Sequence, residues 1–170
     1  MGCGESRERT PVVDGAHDTE NFCFRAECGI RLHSIEFRDF QAAIKRFGYR
    51  INMTTEHMRH IAFEIHLDVD RMLGDSFSPY AVAYLDKDFS FTGGCHNVDN
   101  LILLGWLLCK HWSDETQNYE LWHIVNPHLA PHVTKREVLS VITRLAYIAV
   151  NLNLKMIKNL PGSQGKDEAL

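Results

Sequence analysis

Apolar residues recur at helical spacing along most of the chain. Behind Ser34 come Phe37, Phe40, Ala43, Ile44 and Phe47, with Gly48 as a natural stop. Behind Thr54-Thr55-Glu56 come Met58, Ile61, Ala62 and Ile65. Ser113-Asp114-Glu115-Thr116 opens a segment carrying Tyr119, Leu121, Trp122, Ile124 and Val125. Thr134 and Glu137 have capping-box spacing, in which hydroxyl and carboxylate satisfy each other's free backbone N–H groups. After them Val138, Val141, Ile142, Leu145, Ile148, Ala149 and Leu152 step by threes and fours. From Val98 to Lys110 the pattern is apolar almost all round, which predicts a helix buried on several sides rather than a docking face. These patterns predict an all-α fold.

The polar breaks between the helical patterns carry the candidate chemistry. Residues 126–137, NPHLAPHVTKRE, form a twelve-residue break between two helical patterns. An upstream segment, Asp88-Phe89-Ser90-Phe91-Thr92-Gly93-Gly94-Cys95-His96-Asn97-Val98-Asp99, has the same length. The two segments start 38 residues apart. The stretch 80–150 thereby resembles a pair of EF-hands, and more loosely the resemblance runs over residues 25–158. It implies paired helix-loop-helix units, with a protein or peptide target held in a groove between helices. It also implies oxygen ligands at loop positions one, three, five and twelve, with Gly at six.

In this frame Asp88, Ser90, Thr92 and Asp99 are the metal-ligand candidates, and Gly93 holds the turn. Asp99 is shorter than the usual glutamate, which weakens calcium. A rival register begins at Asp86, puts Phe91 in the glycine position and ends at Asn97. The Asp88 register is preferred for its glycine. The second loop is degenerate. Asn126 and Glu137 hold its ends, but His128 is a poor ligand for a hard cation, Ala130 offers none and Pro131 cannot take glycine's positive φ. Calcium binding is therefore expected to be weak or absent. A vestigial loop can be laid on Arg25–Glu36. Around Asp68 and Asp70 ligand-like carboxylates occur, but Arg71 stands in the glycine position, and residues 66–85 break the regular repeat.

Composition narrows the classes. The chain has 170 residues, 45% of them apolar, enough for a sizeable core, and a formal charge of −4. Its Lys and Arg are scattered, so no nucleic-acid footprint is expected. The strongest apolar run, Leu101–Cys109, is shorter than the ~20 residues of a membrane span. Five cysteines follow no disulfide framework, which points to a reducing, intracellular compartment. Ten histidines make no recognised four-ligand pattern.

The N-terminus reads MGCGES, which fits the myristoylation pattern at Gly2, with Cys3 beside it as a palmitoylation candidate. One myristoyl chain binds membranes marginally, and Glu5 and Glu8 offset Arg7 and Arg9, so the second signal falls to Cys3. The expected organisation is a lipid-anchored flexible stalk (1–20), a helical EF-hand-like domain (21–160) and a disordered tail (161–170). The expected role is regulatory or adaptor, at the cytoplasmic face of a membrane, with no catalysis. The alternative is a calcium-switched sensor using loop 88–99. A less favoured reading is an unrelated helical enzyme built on histidines.

Overall fold

A computed structural model describes residues 15–48, 53–74 and 78–160. Gly2, Cys3 and the polar tail from Pro161 lie outside the described residues. The fold is mostly helical. Its order is α1 (Gly15–Ile30), a 3-10 turn (Leu32–Ser34), α2 (Phe37–Gly48), α3 (Thr55–Glu64), α4 (Val69–Leu73) and α5 (Pro79–Leu85). A two-residue hairpin follows, β1 (Phe91–Thr92) and β2 (Cys95–His96), then α6 (Val98–Leu108) and α7 (Asp114–Val125). The last helix starts as α8 (Lys135–Ala146), widens into a π-turn (Tyr147–Leu152) and ends as α9 (Asn153–Lys158).

α6 is the central element. Asn100 to Gly105 are all buried, and the helix packs against α2, α7 and α8. The α2 face made by Phe37, Phe40 and Ile44 is fully buried with Leu101, Leu103 and Leu104. Gly105 lets the two helices approach: a Cβ there would run into the Phe40 ring. Backbone bonds fasten both ends of this pair. The Phe37 N–H donates to the Lys110 carbonyl and the Lys110 N–H to the Ile35 carbonyl, both at 2.9 Å. At the far end the His96 N–H donates to the Met53 carbonyl at 2.7 Å, making an antiparallel bridge.

Several boundaries differ from expectation. The stalk expected through residue 20 is helical from Gly15, and the first half of the vestigial loop placed at Arg25–Glu36 is the end of α1, followed by the 3-10 turn Leu32–Ser34. The polar composition of 15–20 hid the helix, because α1 owes its place to packing on α5 and α9 and not to a local signal. Ser34 does not cap α2; its hydroxyl donates back to the Arg31 carbonyl at 2.8 Å. By contrast, Thr54 and Thr134 both cap with full capping boxes, through His57 and Glu137.

The 24-residue helix Lys135–Lys158 is, among the described residues, long and apolar enough to cross a membrane by length and composition. The sequence pattern follows this helix from Val138 to Leu152, while the strongest uninterrupted apolar run, Leu101–Cys109, lies in α6. Only 17% of its apolar window is buried.

Candidate cation loop

α5 begins with Ser78 as N-cap and Pro79 in the first turn, where the missing N–H costs nothing. It ends at Leu85, and Asp86 is its C-cap. The helix exit therefore falls two residues before the preferred Asp88 start, at the residue that opens the rival register. The Asp86 carbonyl accepts from the N–H groups of Phe89, Ser90 and Phe91, at 3.3, 2.8 and 2.7 Å. Its carboxylate Oδ1 accepts from the Asp88 N–H at 3.1 Å. The hairpin then turns at Gly93 and Gly94, with φ of 61° and 82°, a region that side-chain-bearing residues rarely adopt. Asn97 caps α6, accepting from the Asn100 N–H at 3.1 Å.

The four metal-ligand candidates go to different partners. Asp88 points its carboxylate at Lys155. Ser90 is fully buried and donates its hydroxyl to the Ala83 carbonyl. Thr92 donates to the Lys87 carbonyl at 3.3 Å. Asp99 stands exposed in the first turn of α6. As placed, the four side chains do not converge on one point, whereas a calcium ion gathers six to eight oxygens.

What converges here is an ammonium group. Lys155 of α9 places Nζ 2.6 Å from Asp86 Oδ2, 2.9 Å from Asp88 Oδ2 and 2.8 Å from the Tyr147 hydroxyl. The Tyr147 hydroxyl in turn donates to Asp86 Oδ1 at 3.1 Å. The Asp86 side chain is 4% exposed and Asp88 72%, so the pairing with Asp86 is the one that matters energetically. The hydrogen bonds to Asp86 and then to Tyr147 raise the Lys155 pKa, holding it charged. The Lys155 hydrogen bond and charge hold Asp88 below the usual carboxylate range. The Tyr147 ring stacks on Phe89 with centroids 5.4 Å apart and planes 7° from parallel, which fixes the hydroxyl over the loop. Beside the cluster opens a cleft of about 310 Å³ lined by Val82, Leu85, Asp86, Lys87, Asp88 and Lys155.

Asn100 adds a second tie. Its side chain donates to the Phe89 carbonyl at 2.7 Å and accepts from Arg144 of α8 at 3.3 Å. Sequence reasoning missed Lys155, Tyr147 and Asn100. Nothing local ties Lys155 or Tyr147 to residue 86, and Asn100 reads only as a polar residue at the start of an apolar helix.

The 126–137 loop closes on itself. The buried Asn126 side chain donates to the Ala130 carbonyl at 2.8 Å and accepts from the Ala130 N–H at 2.9 Å. Glu137 accepts from the Thr134 N–H at 2.6 Å and hydroxyl at 2.8 Å, which lowers its pKa, with a smaller contribution from His128. His128 itself is exposed. The backbone bridge of the upstream loop runs to Met53, before α3, rather than to this segment.

Among the described residues no three His, Cys, Asp or Glu side chains gather in a metal-holding group. The closest polar histidine cluster is His111, with Nδ1 2.7 Å from Glu120 and Nε2 2.7 Å from the Trp106 carbonyl. Compared with known proteins, the chain matches no family model, no curated sequence and no solved structure.

Proposed function

We propose that this chain is a membrane-anchored, EF-hand-like adaptor or regulatory protein that holds a protein or peptide target without a calcium switch. The observation that carries the calcium independence is the Lys155 ammonium, seated between Asp86 and Asp88. A tethered cation already neutralises the buried carboxylate, so a divalent ion has to displace it and win back its hydrogen bonds. One helix-loop-helix unit supports the EF-hand-like reading: α5–α6, with the short hairpin Phe91–His96 in its loop. Anchorage is supported by the MGCGES pattern. Target binding is supported by the exposed aromatic and aliphatic side chains of α7 and the following loop, Tyr119, Trp122 and Leu129.

The rival reading, a calcium-switched sensor, draws on the two neighbouring carboxylates of the same loop. Calorimetry and tryptophan fluorescence during a calcium titration of unacylated protein separate the two. The expected result is no heat and no spectral change into the millimolar range. A saturable micromolar signal that disappears in Asp88→Ala would replace the adaptor with the sensor.

A further inference from the structure

The helix Lys135–Lys158 is apolar on two opposite faces. One face is core: Val141, Ile148, Leu152 and Met156 are buried. The other looks outward with Leu139 at 48%, Ile142 at 53%, Val150 at 55% and Leu154 at 50% exposure, and Ala146 and Ala149 exposed between them. A surface helix ordinarily turns polar residues to water. Four half-exposed aliphatics along one helix mark a surface that is covered when the protein works.

Charge indicates what covers it. This helix carries five basic residues, Lys135, Arg136, Arg144, Lys155 and Lys158, against the single acid Glu137, in a chain whose formal charge is −4. Glu137 is engaged in the Thr134 cap, and Arg144 and Lys155 are turned to Asn100 and to Asp86 and Asp88, which leaves Lys135 and Arg136 exposed at the start of the stripe. An apolar stripe that starts at an exposed basic pair fits a helix that lies in the plane of an anionic bilayer surface. A spanning orientation is ruled out by the fold, since Val141, Ile148 and Leu152 would have to leave the core and Lys155 its carboxylates.

We infer that the outward face of Lys135–Lys158, made by Leu139, Ile142, Val150 and Leu154, rests on an anionic lipid surface. This deepens the membrane-anchored reading and rests on it for its setting. It supplies a contact besides the N-terminal lipids, and a single acyl chain holds only marginally.

The test uses the unacylated full chain, so that it does not depend on Gly2. Co-sedimentation with vesicles of phosphatidylcholine alone is compared with vesicles that also carry phosphatidylserine, at low and high salt. Binding is expected to the phosphatidylserine vesicles, to fall with salt, and to drop about tenfold or more in the Ile142→Glu/Val150→Glu variant. Lys135→Glu/Arg136→Glu leaves the apolar stripe intact and is expected to remove the preference for anionic lipid. Far-UV circular dichroism checks that both variants fold. The inference is overturned if wild type ignores anionic vesicles, or if both folded variants bind as wild type does. It is also overturned if the protein sediments as a dimer that Ile142→Glu dissolves, because the face is then covered by a second copy. Failure here leaves the acyl anchor standing, since that is read from acylated protein altered at Gly2.

Discussion

His96 shows how much one residue's meaning depends on its surroundings. In the sequence it is one of ten histidines and a minor position in a candidate loop. In the fold it is 4% exposed, its ring edge-on to Phe91 at 4.8 Å, while its backbone N–H forms the bridge to Met53. Burial lowers its pKa from 6.5 to about 4, so it is neutral in the folded state at pH 7. The unfolded chain binds the proton more readily, so stability is intact above pH 6.5 and declines as pH falls from 6.5 towards 4. Urea unfolding across this window should show the decline in wild type and a flatter profile above pH 5 in His96→Phe. Equal slopes in the two proteins would mean that His96 is not the titrating group. Lys155 makes the same point. In the sequence it is one of five basic residues of its helix and reads as a surface residue, and only the fold brings it to Asp86, 69 positions away in the chain.

Among the elements, the helices with strong local signals were legible. Thr54, Ser113 and Thr134 each accept a backbone N–H at the start of their helix, since a cap involves only residues three apart. α2 carries the predicted apolar face from Phe37 to Ile44 into the core. α6 was legible as a core helix because its apolar surface has no polar side to expose. α1, the π-turn and the Phe91–His96 hairpin were not, because each is set by a neighbour. The contact between α2 and α6 gives a prediction whose sign is informative. A mid-helix Gly→Ala change ordinarily stabilises by about 1 kcal/mol. Gly105→Ala is expected to destabilise instead, by about 1–3 kcal/mol, because the new methyl meets the fully buried Phe40 ring. Chemical denaturation decides it, and a more stable variant would show that α2 and α6 are not packed this closely.

At the scale of the whole molecule, the helical body and the N-terminal signal belong to different kinds of inference. Gly2 and Cys3 lie outside the described residues, and their case is chemical: a free glycine amine and an adjacent thiol. In cell fractionation Gly2→Ala is expected to move the protein to the soluble fraction. A variant that stays with membranes as wild type does would remove acylation at Gly2 as the anchor. The sequence by itself determined the helical class, the capped starts of α3, α7 and α8, the buried character of Val98–Leu108 and the poor ligand set of the 126–137 loop. Each of these is fixed within a few turns of chain, by periodicity, capping geometry or side-chain chemistry. Only the tertiary structure decided that the segment after α5 joins Met53 and that the carboxylates of Asp86 and Asp88 meet Lys155. Those outcomes need residues 43 and 69 positions apart to be packed together, and no local pattern encodes such a distance.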